Sequence, residues 1–185
     1  MDLSLVIENC LLDDRLAQRQ LYEQFLPYAL TVTRRYGVAS RYQADVVQDI
    51  FTEVFTKLAT FDAQKGQFST WFRTIAVRKT VDFQRKREKL RFTSLVAVLP
   101  EKSPTATLEL EAVPTDELFV AFAALPTGFR TVFNLYAVDG YRHREIADLL
   151  GITPSASRSQ YARARERLRH HLQGTKKKQV ANEYR

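Results

Sequence analysis

The chain has 185 residues, 45% of them apolar, and its 28 Lys and Arg residues against 21 Asp and Glu residues give a formal net charge of +7. This apolar content excludes wholesale disorder and fibrous repeats, and the single cysteine, Cys10, cannot form an internal disulfide framework or supply a zinc-ribbon site. No segment approaches the roughly 20 apolar residues of a membrane span, and the acidic start lacks the basic region of a secretion signal, so we expect a soluble, cytoplasmic protein.

Positive charge is concentrated in two blocks. Residues 73–91 contain 8 basic and 2 acidic residues, and residues 158–178 contain 8 basic residues and 1 acidic residue. Residues 101–119 lie between these blocks and are acidic, with 5 acidic residues against 1 basic residue. Two separated basic blocks predict two contacts with a polyanion, although two solvated helix faces would show the same charge pattern.

The first two predicted helices have apolar residues at helical spacing, and strand-like alternation is nearly absent. The first helix should be kinked or split by Pro27 and should end at Gly37. Its apolar stripe consists of Leu21, Phe25, Ala29, Val32 and Tyr36. The second helix has Asp45, Asp49 and Glu53 opposite its apolar stripe. That stripe consists of Val47, Ile50, Phe51, Val54 and Leu58.

A third helix is predicted after a loop at residues 62–68. We expect Ser69 to cap this helix, which should begin at Thr70 and run to about Leu90. The next segment, residues 93–114, contains three prolines among Ser and Thr residues. That composition predicts a linker rather than a regular element.

The C-terminal part is predicted to be helical as well. Thr115 should cap one helix, and Pro126 and Thr127 should begin another. The residues expected to face inward from the latter are Val132, Phe133 and Tyr136. The sequence therefore predicts an all-α fold with two small helical domains joined by a flexible linker. The predicted segments are residues 1–92 for the first domain, 93–114 for the linker, 115–173 for the second domain and 174–185 for a basic tail.

The strongest single motif begins at His143. It predicts a short helix that ends at Gly151, followed directly by a long helix that Thr153 and Pro154 open and that runs to about Leu172. Ile146, Ala147 and Leu150 should face inward. This helix-turn-helix arrangement places its second helix in the major groove of DNA.

Exposed residues of this second helix suit DNA binding, whereas an αα-hairpin with an arginine-coated surface is the plainer alternative. Ser157 departs from the Val or Leu that such motifs bury, which predicts looser local packing. The residues expected to reach base edges are Ser155, Arg158, Ser159 and Gln160, with Arg163 one turn further on. Those expected to meet phosphates are Arg163, Arg165, Arg167 and Arg169.

Two further runs carry a family resemblance. Residues 45–51, DVVQDIF, and residues 68–76, FSTWFRTIA, resemble two signatures of bacterial RNA polymerase sigma factors. Together with the helix-turn-helix and the short chain, they resemble the extracytoplasmic-function (ECF) group of sigma factors. The resemblance implies an initiation factor that binds core RNA polymerase and directs it to promoters, with neither catalytic residues, metal nor cofactor.

The resemblance also implies which residues bind the polymerase. The helix with Asp45, Gln48, Asp49 and Glu53 on one polar face is expected to bind the clamp helices of the β′ subunit, and the second domain to meet the β flap. An anti-sigma factor is expected by family analogy alone. A solvated helix face and a magnesium site remain alternatives for the three acids; the latter would need ligands from elsewhere.

The third helix and its preceding loop would recognise and melt the minus-ten promoter element. The resemblance implies a loop pocket that captures an unpaired base, built from Lys65, Gly66, Gln67, Phe68 and Ser69. Trp71 lies next to it, although a core tryptophan is the alternative. The residues expected to hold phosphates are Arg73, Arg78, Lys79, Arg85, Lys86 and Arg87. Many members have Asn where this chain has Arg78, which leaves the preferred base open.

Two rival classes are open at this point. A helix-turn-helix regulator that does not bind core polymerase would explain residues 117–172 but not the motifs at residues 45–87. An enzyme is disfavoured because His143, His170 and His171 lack Cys or carboxylate partners at zinc-ligand spacing, and because the common nucleophile and phosphate-binding motifs are missing.

Overall fold

The computed structural model describes the backbone of residues 2–87 and 115–183, and the side chains of residues 2–87 and 119–173. Every regular element in these ranges is helical. This confirms the predicted all-α class. The predicted linker at residues 93–114 and the predicted helix end near Leu90 lie outside the described residues, and so do the side chains of the basic tail.

Eight α-helices and two short turns follow one another along the described chain. The helices are α1 (Leu3–Leu11), α2 (Arg15–Arg35), α3 (Ser40–Lys57), α4 (Phe68–Arg87), α5 (Thr115–Ala123), α6 (Thr127–Phe133), α7 (His143–Leu150) and α8 (Pro154–Glu183). A 3-10 turn at Leu58–Thr60 extends α3, and a π-helical turn at Asn134–Val138 extends α6. The helices form two compact units, α1–α4 and α5–α8, and none of them, over the part of the chain described, could cross a bilayer.

In the first unit, the predicted apolar stripes of α2 and α3 pack against apolar side chains of α4. Ile50 and Val54 of α3 are fully buried, as is Phe72 of α4. The Phe72 ring lies 4.8 Å from the Phe25 ring and 5.5 Å from the Phe51 ring, between ring centroids. Aromatic rings at such distances add to the free energy of simple burial, so this cluster holds α4 firmly against its neighbours.

Local signals at the ends of these helices were partly right. Gly37 ends α2 with φ of +78°, a conformation that favours glycine, as predicted. Pro27 does not split α2, which is one helix from Arg15 to Arg35. Ser69 does not cap α4, because α4 already begins at Phe68. The hydroxyl of Ser69 lies 3.5 Å from the side-chain oxygen of Gln67. The backbone oxygen of Gln67, not that of Ser69, accepts the first bonds of the helix.

Helix α1 was not predicted. Asp2 caps it by accepting a hydrogen bond from the backbone N–H of Ser4, at 2.9 Å. Its buried residues are Val6, Ile7 and Cys10. Burial also raises the pKa of the Cys10 thiol, with a smaller contribution from Asp14. Leu3, Val6, Ile7 and Cys10 follow one another at helical spacing, so the signal for this helix was present in the sequence.

The second unit has its own core between α5, α6 and α8. Phe129 and Phe133 of α6 pack with Ala164 and Leu168 of α8, and Tyr161 lies partly buried against them. Tyr136 does not face inward as expected. The π-helical turn places it with 39% of its surface exposed, because the extra residue of such a turn rotates the following side chains.

The helix-turn-helix agrees with the sequence expectation in its geometry. Ile146, Ala147 and Leu150 are buried, and Gly151 ends α7 with φ of +68°. The hydroxyl of Thr153 caps α8 by accepting from the N–H of Ala156 at 3.1 Å. Helix α8 is longer than predicted and ends at Glu183 instead of near Leu172, because the Lys, Gln, Ala and Glu residues of the tail are good helix formers.

Candidate functional site

The polar face of α3 divides into two parts. Asp45, Gln48 and Asp49 are exposed to solvent, as expected for a docking surface. Glu53 is different, since its carboxylate forms ion pairs with Lys57 of α3 and with Lys79 of α4. The Lys79 Nζ lies 2.9 Å from Glu53 Oε2. Hydrogen bonds from Lys57 and then Lys79 lower the pKa of the Glu53 carboxyl to about 2.

This ion pair joins two residues that the sequence assigned to different partners, Glu53 to the polymerase and Lys79 to DNA. The two side chains form an ion pair with each other where α4 packs against α3. We therefore define the α3 face as Asp45, Gln48 and Asp49. Sequence reasoning missed the pairing because Lys79 lies on a separate helix, and no local spacing brings it to Glu53.

An apolar groove borders the α3 face. Its volume is about 700 Å³, and Tyr22, Leu26 and Phe55 contribute apolar surface to it while Gln48 lies at its edge. None of these three apolar residues was predicted to form part of a binding surface. Phe55 could have been predicted from its spacing. It follows the buried Phe51 by four residues and so extends the apolar stripe towards the polar face.

The loop before α4 is organised by Asp62. Its carboxylate accepts a hydrogen bond from the N–H of Gln64 at 2.9 Å and pairs with the Lys65 ammonium at 3.1 Å, while its backbone oxygen accepts from the N–H of Lys65. This is the turn that Asp side chains favour. Gly66 has φ of +155°, and a side chain there would meet only open space. Sequence reasoning treated Asp62 only as part of a loop.

A cavity of about 540 Å³ opens beside this loop. The volume lies within the range of about 300–1,000 Å³ that is typical of small-molecule sites. The structure brings the predicted pocket residues to this cavity and adds others that were not predicted. The predicted residues are Lys65, Gly66, Gln67, Phe68 and Ser69, and the added ones are Leu3, Ser4, Ile7, Phe61, Ala63 and Gln64.

Aromatic rings form the floor of the cavity. Phe68 is only 4% exposed, and its ring centroid lies 5.2 Å from that of Phe61 and 5.4 Å from that of Trp71. Trp71 is half-buried, and its ring centroid lies 5.7 Å from that of Phe61. The Trp71 ring thus packs on Phe61 and Phe68, as a core tryptophan would, and its contact with DNA stays a prediction.

Helix α4 presents one continuous outer stripe beyond Trp71. Arg78 is exposed two turns after Trp71, and Ile75 lies half-buried between them. Further along, Arg85 pairs with Asp82 at 3.6 Å. Arg73 is half-buried on a neighbouring line of the helix. The stripe therefore combines an aromatic ring at the cavity with cationic groups along the helix axis, an arrangement that suits a nucleic-acid strand.

The outer face of α8 contains most of the predicted base-reading residues, with one exception. Ser155 and Arg158 are exposed, and Ser159 and Arg163 are half-exposed. Gln160 was expected on this face, but it is buried with 4% of its surface exposed, and its side-chain oxygen has no hydrogen-bond partner among the described residues. The prediction for Gln160 is therefore wrong. Gln160 belongs to the inward stripe of α8, which consists of Ser157, Gln160, Ala164, Leu168 and Leu172.

Within the ranges that the structure describes, no three His, Cys, Asp or Glu side chains lie close enough together to hold a metal ion. The exposed carboxylates of Asp45 and Asp49 share one helix face. They are thus available for contacts with another molecule.

Both units match known sequence families. Residues 21–90 match the profile of Sigma-70 region 2, and residues 115–168 match the profile of Sigma-70, region 4. The first profile covers α3, the loop side of the cavity and α4, and the second covers the helix-turn-helix. A regulator with a helix-turn-helix alone has no counterpart to the first profile, so the sigma-factor interpretation is favoured over that alternative.

Two curated relatives of the chain are also sigma factors. The chain is 24% identical over 159 residues to the ECF RNA polymerase sigma factor RpoE of Cereibacter sphaeroides, a match that covers 86% of this chain and 88% of that protein. It is 28% identical over 151 residues to the probable RNA polymerase sigma factor RfaY of Xanthomonas campestris pv. campestris, covering 78% of this chain but 36% of that longer protein.

The fold is similar to that of the sigma factor RpoE of Bartonella quintana, which was solved with the anti-sigma factor NepR. The TM-score is 0.51 and the identity 21%, and the match covers 84% of this chain and 96% of that chain. Members of the matched family are initiation factors rather than enzymes. The chain therefore belongs to the sigma-70 family of RNA polymerase sigma factors, in its ECF group.

Proposed function

We propose that this chain divides the work of a sigma factor among three surfaces. The α3 face binds core polymerase, the loop cavity with the outer stripe of α4 recognises and melts the minus-ten element, and the outer face of α8 recognises the minus-thirty-five element. The observation that carries this proposal is the cavity of about 540 Å³ at the amino end of α4. Trp71 packs on two of its lining rings, and Arg78 is exposed two turns further along α4.

Polymerase binding is assigned to Asp45, Gln48 and Asp49 and to the apolar groove beside them. An acidic rim next to an apolar groove suits a basic, amphipathic helical partner, because apolar contacts supply affinity and charges supply orientation. The β′ clamp helices are the proposed occupant. Glu53 is left out of this surface as a direct contact, since Lys57 and Lys79 already neutralise its carboxylate.

Melting is assigned to the cavity and to Trp71. An extruded base loses stacking and pairing worth a few kcal/mol, and a pocket must replace those contacts. The cavity offers an aromatic floor in Phe61 and Phe68 and polar groups in Gln67 and Ser69. Trp71 packs on these two rings and is only half-buried, so a neighbouring base can stack on its exposed part.

Phosphate contacts follow from the charges of α4. Arg73, Arg78 and Lys79 were all expected to hold phosphates. Arg78 is exposed on the outer stripe and is the strongest candidate of the three. Lys79 contributes less, because its ammonium is 2.9 Å from the Glu53 carboxylate. Pairing with a carboxylate reduces the net positive charge that a phosphate would meet.

Recognition of the minus-thirty-five element is assigned to Ser155, Arg158, Ser159 and Arg163. The recognition helix of a helix-turn-helix reads bases with the residues of its first turns. Arg158 is exposed in the second turn of α8 and matches the bidentate preference of guanidinium for guanine. The β flap of the polymerase is the proposed protein contact of this unit.

Regulation by an anti-sigma factor is also proposed, since the similar RpoE of Bartonella quintana was solved with one. We further propose that the protein works in the cytoplasm, where core polymerase and promoter DNA are found. An anti-sigma factor that occupied the apolar groove beside the α3 face would compete with the β′ clamp helices for the same surface.

In vitro transcription tests the proposal. Purified chain is added to core polymerase, and promoters are selected from a random library; specific initiation that depends on the chain is the expected result. Asp49→Lys should weaken core binding and reduce initiation, with a smaller loss at high salt, because screening reduces charge repulsion. Arg19→Ala, on an exposed side chain of α2 that pairs with Glu23, is the matched surface control.

Binding of promoter DNA without any initiation in the presence of core polymerase would contradict the proposed function. Core binding by Asp49→Lys equal to that of the unmodified chain would remove the α3 face from the proposal while leaving the two DNA surfaces intact. Titration of labelled core polymerase distinguishes these results, because it reports association independently of transcription.

A further inference from the structure

We propose that Ser4 of helix α1 is a specificity-determining residue for the base captured in the loop cavity, with α1 forming the second wall of that cavity. This inference rests on the proposed base capture and deepens it. It adds a helix that neither the sequence motifs nor the region 2 match includes, because that match begins at residue 21.

The cavity lies between two separate pieces of chain. The loop at residues 61–69 forms one side, and Leu3, Ser4 and Ile7 form the other. These three residues fall in the first two turns of α1, at the spacing that places them on one side of a helix. Base choice by the loop alone would leave the opposite edge of a captured base without contacts.

The chemistry of the lining points to a neutral heterocycle rather than a phosphate. Lys65 is the single charged residue among those that line the cavity, and its ammonium is paired with Asp62 at 3.1 Å. The remaining groups are apolar side chains, hydroxyls and amides. A nucleobase has two apolar faces and a polar edge, so it matches an aromatic floor with neutral hydrogen-bonding groups around it.

Ser4 is the one hydrogen-bonding side chain that α1 contributes to this lining. A hydroxyl forms a hydrogen bond with either a donor or an acceptor, so it favours a base that presents a polar group at this position over one that presents a methyl or C–H group. Its position is fixed by the fold, because Asp2 accepts the hydrogen bond of the Ser4 N–H and because Val6, Ile7 and Cys10 anchor α1 in the core. Because its backbone is held in this way, Ser4 contributes to specificity with a smaller loss of conformational entropy than a residue of a flexible loop would.

The test uses holoenzyme assembled from full-length chain and core polymerase. Four promoter duplexes differ only in the base at the melted position, and the fraction of open complex is measured on each by permanganate reactivity. We expect Ser4→Ala to change the ratio between the best base and the others by about 3- to 10-fold, the effect of one hydrogen bond. Ser4→Thr, which keeps the hydroxyl, should retain most of the preference.

Leu5→Ala is the matched control. Leu5 is the next residue of α1, is 56% exposed, and does not line the cavity. Its substitution should leave the four ratios unchanged. Equal loss on all four duplexes by Ser4→Ala, or ratios identical to those of the unmodified chain, would overturn the inference, because Ser4 would then act structurally or not at all.

A loop variant separates this failure from a failure of the proposed function. Gln67→Ala changes the opposite wall of the same cavity. If Gln67→Ala shifts the base ratios and Ser4→Ala does not, base capture stands and the role of α1 is refuted. If neither substitution shifts the ratios, the cavity does not read a base, and the proposed melting site is wrong together with the inference built on it.

Discussion

The imidazole Nδ1 of His143, at the start of α7, lies 2.9 Å from the hydroxyl Oγ of Ser157 in the first turn of α8. Ser157 is fully buried, and the His143 ring stacks on Tyr136 with 4.2 Å between ring centroids. This hydrogen bond joins the two helices of the helix-turn-helix at the position where an apolar residue was expected. The hydrogen bond therefore takes the place of the apolar contact that a Val or Leu would make at position 157.

The stability of this motif should depend on the ionisation of His143. Burial, and then the positive charge of Arg158, lower the pKa of the His143 imidazole. In the pH range between this lowered value and the unfolded value of about 6.5, the unfolded chain binds more protons than the folded one. The free energy of unfolding should thus be highest above about pH 6.5 and should fall as the pH drops through the pKa of the folded state.

Urea unfolding of the full chain at several pH values, with NMR titration of the His143 ring, measures this dependence. His143→Gln should flatten the part of the pH profile that His143 causes. A pKa of His143 at or above that of a histidine in unfolded peptide would contradict the prediction, because protonation would then stabilise the folded state.

The carboxyl of Glu53 should titrate far below an ordinary glutamate, with a pKa of about 2, because it accepts hydrogen bonds from Lys57 and Lys79. Lys79→Gln should raise this pKa while the Lys57 pair keeps it below the normal value. A carboxyl-detected NMR titration reports both values directly. An unchanged Glu53 pKa in the Lys79 variant would show that the two side chains do not pair in solution.

Trp71→Ala should strongly reduce open-complex formation. It should lower the free energy of unfolding only moderately. Trp71 is half-buried, so its loss should cost less than the roughly 3–5 kcal/mol of a fully buried aromatic side chain. Phe72→Ala is the control, since Phe72 is the fully buried neighbour and should show that full cost. Permanganate footprinting and thermal unfolding are compared on both variants. Normal opening of promoter DNA by a stably folded Trp71→Ala variant would contradict a role for Trp71 in promoter melting.

Arg158 and Gln160 should behave differently although only one residue separates them. Arg158→Ala should cost roughly 1–3 kcal/mol on the preferred minus-thirty-five element and relax its sequence preference. Gln160→Met should leave that preference unchanged and keep or raise the free energy of unfolding, because it removes a buried oxygen without a partner.

Titration of each variant against matched and scrambled duplexes measures the preference, and urea unfolding measures the stability. A relaxed preference in Gln160→Met would restore Gln160 to the base-reading face. Equal loss of affinity on both duplexes in Arg158→Ala would make Arg158 a phosphate contact instead.

Much of the fold followed from local sequence. The apolar stripes of α3 and α4 repeat at helical spacing, and Gly37 and Gly151 end their helices with positive φ as expected. The inward position of Gln160 was also available from spacing, since it falls in line with Ser157 and Ala164. The inward position of Gln160 was nevertheless missed, because hydrophobic periodicity identifies a buried face by its apolar residues and glutamine is polar.

The sequence by itself determined the described helices other than α1, the helix-turn-helix and the family, because helical periodicity, capping and turn signals act between residues a few positions apart. Only the tertiary structure decided which surfaces meet. It paired Glu53 with Lys79 and placed Ser4 of the unpredicted α1 opposite Gln67 at the cavity. Such contacts join residues far apart in the chain, and they depend on how complete helices pack, which no local pattern encodes.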